Sequence, residues 1–162
     1  MVDRVRVLFV CMGNICRSPM AHGAFRKLVA RAGLADRVMI DSAGTIDHHA
    51  GDPPDPRAVA TARERGIDIS DLRARALTAA DCGRFDLIVA MDRGNLNRIR
   101  AVCNGHPGTH LLLEFAPQRR EHEVPDPYSG GPAAFEVVMD LIEAGTQGLL
   151  AEVARRLDGG AP

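Results

Sequence analysis

The sequence contains no tryptophan, a single tyrosine (Tyr128) and a single lysine (Lys27). The shortage of lysine beside many arginines reads as compositional bias, whereas the lone Tyr128 stands out. No apolar run approaches the roughly 20 residues that a helix needs to cross a bilayer, so no membrane span is expected. The first ten residues run directly into an apolar strand pattern. They lack the basic region, apolar segment and small-residue cleavage site of a secretory leader. Four cysteines do not make a disulfide scaffold in a chain of 162 residues, and a reducing, cytoplasmic setting is the simplest expectation. A formal net charge of -1 gives no reason to expect nucleic acid or an anionic membrane as a partner. His48 and His49 adjoin, but no second ligand pair has a metal-binding spacing, so neither a metal nor another cofactor is expected.

What is present fits one globular domain over residues 1–162. Apolar residues make up 46% and charged residues 25%, and the chain is long enough to bury a sizeable core. Val5 to Val10 is an apolar run that reads as a buried strand ending at Cys11. A helix is expected from Pro19, with Ala24, Phe25, Leu28 and Ala32 on one face and Gly33 as its stop. Val38 to Ile40 reads as a second strand, followed by a turn-rich stretch. Asp55-Pro56 opens a helix that Gly66 closes, and Thr78 can cap a short one. Leu87 to Ala90 reads as a third strand, followed by a helix from about Asp92 to Val102. His110 to Leu113 reads as a fourth strand. A long loop follows, then a helix from Pro132 to Leu157, where Gly145 and Gly148 invite a kink. Strands alternating with helices predict a three-layer α/β/α domain with a parallel four-stranded sheet. Ligands bind beyond the C-terminal strand ends of such sheets.

That is where Cys11-Met12-Gly13-Asn14-Ile15-Cys16-Arg17-Ser18-Pro19 falls, between the first strand and the first helix. A Cys and an Arg separated by five residues carry little alone; the strand–loop–helix context gives the spacing its weight. A tight loop entering a helix N-terminus points several backbone N–H groups at one spot, where the helix dipole adds positive charge. Arg17 offers a planar fork to two phosphate oxygens. Gly13 and Asn14 tolerate the left-handed backbone that such a cradle uses. The same groups would stabilise a thiolate on Cys11, making it a nucleophile toward a phosphorus held by residues Met12 to Ser18.

Val7 to Pro19 resembles the signature of the low-molecular-weight protein tyrosine phosphatases. Asp41-Ser42-Ala43-Gly44-Thr45, Asp86 to Asp92 and Asp126-Pro127-Tyr128 fall in that family's order, so the resemblance spans nearly the whole chain. It implies a metal-free, two-step hydrolysis of phosphotyrosine in protein substrates. Cys11 would form a phosphocysteine and Arg17 would hold the equatorial oxygens. Asp126 would protonate the leaving phenolate and then activate water. Asn14, Ser18 and Ser42 would support the loop, while Met12, His48 and Tyr128 would line the substrate pocket. The resemblance also implies a reversible disulfide between Cys16 and Cys11. Asp126 has independent support: a phenol titrates near ~10, so expelling phenolate at neutral pH benefits from a proton donor. The flanking Pro125 and Pro127 restrict its backbone.

The chain departs from the family pattern in places. Ser129 stands where many members have a second aromatic, His48 where an aromatic often lies, and Asp71 where some have a supporting histidine. Cys82 and Cys103 read as core or surface thiols. Arg73, Arg75, Arg119 and Arg120 read as solvated faces. A protein-arginine phosphatase and a thiol-dependent arsenate reductase are alternatives on the same scaffold, although Ile15 favours the tyrosine branch and Cys82 lacks a close partner thiol in sequence. The alternative from another class is a phosphotyrosine-binding module without hydrolysis, which would need neither Cys11 nor Asp126. A monomer is the default expectation.

Overall fold

The computed structural model describes residues 2–158. Its elements are strands β1 (Val5–Cys11), β2 (Val38–Gly44), β3 (Leu87–Ala90) and β4 (Thr109–Leu111), with helices α1 (Arg17–Arg31), α2 (Pro56–Glu64), α3 (Ala79–Arg84), α4 (Arg93–Val102) and α5 (Pro132–Leu157). The four strands form one parallel sheet in the order β2-β1-β3-β4. The chain is a single α/β domain with helices on both faces of this sheet. Strand β1 is central, and its Leu8 pairs with Asp41 on one side and Ile88 on the other.

Alternation along β1 builds two cores. Val5, Val7, Phe9 and Cys11 face one side, where they pack with Met20 and Phe25 of α1, Ala58 and Ala62 of α2, and Phe135 and Ile142 of α5. Leu8 and Val10 face the other side, against Ile88, Leu96, Ile99 and Phe85. Each fully buried Leu, Ile or Phe contributes roughly 1.5–3 kcal/mol. These cores fix the sheet rigidly beneath the loop that leaves β1.

Several local expectations change. α1 starts two residues earlier than Pro19, at Arg17. Its first turns are buried on all sides, from Arg17 to Phe25, because the helix begins beneath the sheet's C-terminal edge. The apolar stripe therefore runs through Met20, Ala21, Ala24, Phe25 and Val29, while Leu28 is half-buried and Ala32 is exposed. β2 runs on to Gly44. β4 ends at Leu111, and Leu112–Phe115 turn into a short 3-10 helix, so the apolar run continues without the strand.

α5 is unbroken. Gly145 and Gly148 serve close packing there: a Cβ on Gly145 would strike Leu112, and one on Gly148 would strike the Phe115 carbonyl. Cys82 of α3 and Cys103 at the end of α4 are bonded as a disulfide, with Cα atoms 5.4 Å apart. The two are therefore not the core or surface thiols expected from sequence; their pairing depends on how α3 and α4 meet. Closing that 21-residue separation contributes about 3 kcal/mol by loop entropy. Among the described residues, no helix is long and apolar enough to cross a membrane.

Candidate active site

Backbone hydrogen bonds hold the loop after β1 from both sides. The Cys11 and Met12 carbonyls accept from Thr45 and Ile46 N–H at 2.9 and 3.1 Å, and the Ile15 carbonyl accepts from Asp55 N–H at 2.8 Å. Asn14 takes the left-handed conformation (φ 58°). Gly13 does not, contrary to expectation; its small size instead lets the His49 ring approach, since a Cβ there would lie 3.2 Å from His49 Cδ2.

At the centre, Cys11 Sγ accepts from Asn14 N–H at 3.3 Å and lies 3.0 Å from Ser18 Oγ. The Asn14 amide nitrogen donates to Ser18 Oγ at 2.7 Å, and Asn14 Oδ1 accepts from Arg75 N–H at 3.0 Å. With Ser18 Oγ already accepting from Asn14, its own proton is free to point at the sulfur. A thiolate on Cys11 would thus face two donors, Asn14 N–H and the Ser18 hydroxyl. Asn14 is oriented by Arg75, whose guanidinium bridges Asp41 and Asp81 at 3.0 Å each. Arg75 is thus a bracing residue, not the solvated arginine expected, whereas Arg73 is exposed.

Arg17 is buried, its side chain only 3% exposed. Nη1 donates to Asp92 Oδ2 at 2.6 Å and to the Val124 carbonyl at 2.9 Å, and Nη2 lies 3.8 Å from Asp126 Oδ2. Asp92 also caps α4, accepting from Asn95 N–H at 2.8 Å. The helix start near Asp92 was legible in the sequence; the ion pair, across 75 positions, was not. One edge of the guanidinium is thus occupied, and Nε and Nη2 make no hydrogen bond among the described residues.

Cys11, Met12, Gly13, Ile15, Cys16, Arg17, Ile46, His48, His49, Asp126 and Tyr128 line a cavity of about 260 Å³. Its floor is polar and its mouth is largely apolar, with Met12, Ile46 and Tyr128 exposed there. The His48 and His49 rings meet edge to face, and the His49 and Tyr128 ring centres are 6.5 Å apart. Ile46 and His49 were not foreseen as lining residues. Asp126 is half exposed beside Arg17 and accepts from Tyr128 N–H at 3.0 Å. A phosphoryl group would fit the floor between sulfur and guanidinium, with an aromatic ring against the mouth and a carboxyl group beside the bridging oxygen.

Cys16 is a buried free thiol, not bonded to Cys11. Burial above all, then the charges of Asp55, Cys11 and Asp126, pushes it up to about 12. Ser42 is buried on β2, but its hydroxyl meets His22 Nδ1 at 3.2 Å and makes no hydrogen bond to the loop. His22, overlooked in the sequence, is the histidine near this region; burial lowers it to about 4. Asp71 lies at the surface, where it pairs with Arg26 at 3.0 Å. Cys82 and Cys103 do not line the cavity.

The family described as low molecular weight phosphotyrosine protein phosphatase matches residues 6–158. The low molecular weight protein-tyrosine-phosphatase of Streptomyces coelicolor is 41% identical over 161 residues, covering 96% of this chain and 98% of that protein. The pig low molecular weight phosphotyrosine protein phosphatase is 42% identical over 136 residues, covering 82% of this chain and 85% of that protein. The crystal structure of YfkJ from Bacillus subtilis superposes with a TM-score of 0.91 at 37% identity, covering 96% of this chain and 98% of that one.

Proposed function

The chain belongs to the low molecular weight phosphotyrosine protein phosphatase family, a family of hydrolases, and from that premise we propose that it hydrolyses phosphotyrosine in proteins through a phosphocysteine on Cys11. The observation that carries this reading is the Cys11 sulfur, within hydrogen-bond reach of Asn14 N–H and Ser18 Oγ, on the floor of a cavity shared with Arg17 and Asp126. The sulfur, as thiolate, attacks phosphorus in line, forming the S–P bond as the P–O bond to the phenol breaks. Backbone N–H groups of Met12 to Ser18 and the free edge of Arg17 hold the equatorial oxygens. Asp126, as the carboxylic acid, gives its proton to the departing oxygen. The resulting carboxylate then takes a proton from water as that water attacks the phosphocysteine, which returns Cys11 as thiolate and releases phosphate. Asn14 and Ser18 keep the sulfur's donors aimed, and Met12, His48 and Tyr128, with Ile46, receive the ring.

No metal or other cofactor enters this scheme. Cys16 is the resolving thiol: a sulfenic acid on Cys11 condenses with it to a disulfide with loss of water, and a dithiol reductant restores both thiols. The domain is taken as residues 1–162, acting as a monomer. A reducing cytoplasm is the setting that keeps Cys11 a free thiol, and its thiols would also tend to open the Cys82–Cys103 bond. The arsenate reductase alternative is disfavoured because Cys82 and Cys103 lie outside the cavity. The test is hydrolysis of para-nitrophenyl phosphate by wild type and by Cys11→Ser. Wild-type turnover is expected, with loss of turnover but retained phosphate binding in the variant. An inactive wild type would overturn the assignment.

A further inference from the structure

The segment that carries Asp126 is held from outside the cavity by one side chain. Arg57, near the start of α2, donates through Nη2 to the Tyr128 carbonyl at 3.0 Å and through Nη1 to the Gly130 carbonyl at 3.1 Å. Its guanidinium lies over the Phe135 ring, 4.7 Å from the centre, and 5.6 Å from that of Tyr128. Two further N–H groups form a fork on Asp55, with Nε to Oδ1 at 3.1 Å and Nη2 to Oδ2 at 2.9 Å.

Asp55 is itself anchored. Its carboxylate is largely buried, and its backbone N–H donates to the Ile15 carbonyl in the phosphate loop at 2.8 Å. The Arg57 hydrogen bond holds the Asp55 carboxyl below the usual carboxylate range. On the other side, the Tyr128 N–H holds Asp126 Oδ1 at 3.0 Å, and a Gly130 N–H to Pro127 carbonyl bond of 2.9 Å closes the turn. A continuous path of hydrogen bonds therefore runs from the phosphate loop through Asp55 and Arg57 to the turn that aims the Asp126 carboxyl.

We propose that Arg57 is a positioning residue for proton transfer, fixing the reach of Asp126 to the leaving oxygen by clamping the Tyr128 and Gly130 carbonyls to the phosphate loop. This rests on the reading of Asp126 as the general acid. Arg57 exchanges no proton and forms no bond to substrate; it sets where the Asp126 proton sits while the S–P bond forms and the P–O bond breaks. A lysine could not replace it, because two carbonyls, a carboxylate and two ring faces are met by one planar fork. Misplacement of a catalytic group by about 1 Å can cost on the order of a hundredfold in rate.

The experiment measures kcat/KM, which reports steps up to P–O cleavage, for phenyl phosphate and for a dinitrophenyl phosphate that needs no proton on departure. Wild type, Arg57→Met, Arg57→Lys, Asp126→Ala and the Arg57→Met/Asp126→Ala double variant are compared. Arg57→Met keeps the apolar stem against Phe135, and Arg57→Lys keeps the charge should the methionine variant fold poorly. Either substitution is expected to lower kcat/KM for phenyl phosphate on the order of tenfold or more, and for the activated ester by less than about twofold. In the Asp126→Ala background, the further change for phenyl phosphate is expected to vanish. Equal losses on both esters, or a loss undiminished in the Asp126→Ala background, would overturn the positioning role while leaving Asp126 in place. An Asp126→Ala variant that slows both esters alike would instead remove the general acid, and this proposal with it.

Discussion

Replacing Asp92 by asparagine tests how Arg17 is held. Asparagine caps a helix about as well as aspartate, so α4 keeps its N-cap and only the charge is lost. The Arg17 guanidinium, 3% exposed and 2.6 Å from Asp92, then becomes a buried cation without its main counter-charge. Removing one partner of a buried ion pair costs about 3–5 kcal/mol, and a hydrogen bond to a charged group is worth about 1.5–3 kcal/mol. Three features moderate the loss. Asp92 is 26% exposed, the Val124 carbonyl stays at 2.9 Å, and Asp126 stays at 3.8 Å. We expect a loss of about 2 kcal/mol, or roughly 4–8 °C in Tm for a domain of this size. On the proposed reading of the site, inorganic phosphate bound in the loop supplies the missing negative charge. It should therefore stabilise Asp92→Asn by more than it stabilises wild type, in urea denaturation with and without saturating phosphate. A loss below about 0.5 kcal/mol, or equal stabilisation of both proteins by phosphate, would refute the reasoning.

His22 gives a pH signature. Its folded value of about 4 lies below the ordinary 6.5, so the unfolded chain takes up the proton first as pH falls. The stability from keeping this imidazole neutral is complete above about 6.5 and is lost progressively toward 4, by about 2 kcal/mol between roughly pH 7 and pH 5. Urea denaturation of His22→Gln should lack that part of the slope, and an unchanged slope would contradict it. For Cys16, peroxide inactivation should be largely reversed by dithiothreitol in wild type and much less so in Cys16→Ala; equal recovery would show that Cys16 does not protect Cys11. The high value of about 12 makes Cys16 a slow nucleophile, so its reaction depends on proximity to Cys11.

The strands, the parallel sheet and a tight loop between β1 and α1 were legible because each rests on local pattern: an apolar run, a capping residue, a Cys-to-Arg spacing. Asp55, Thr78 and Asp92 declare helix starts by chemistry that acts within three residues. Arg75 and Arg57 could not be read this way. The Arg75 guanidinium meets Asp41 across 34 positions, and that of Arg57 meets Gly130 across 73, so a solvated arginine and a bracing one look alike in sequence. His22 and Ser42 meet only when α1 packs on β2. The end of β4 was misjudged because Leu112 and Leu113 are buried whether they extend a strand or turn into a 3-10 helix. Gly145 and Gly148 suggested weakness in α5 by propensity, but packing against Leu112 and Phe115 requires their small size.

The claim on which the account depends is that Cys11 becomes covalently phosphorylated. Acid quenching of Asp126→Ala during turnover of a dinitrophenyl phosphate, with mapping by mass spectrometry, tests it directly. One phosphoryl group is predicted on the peptide bearing Cys11, and none on that peptide in a parallel Cys11→Ser sample. Turnover without that adduct, an adduct on another residue, or sustained hydrolysis by Cys11→Ser would contradict it.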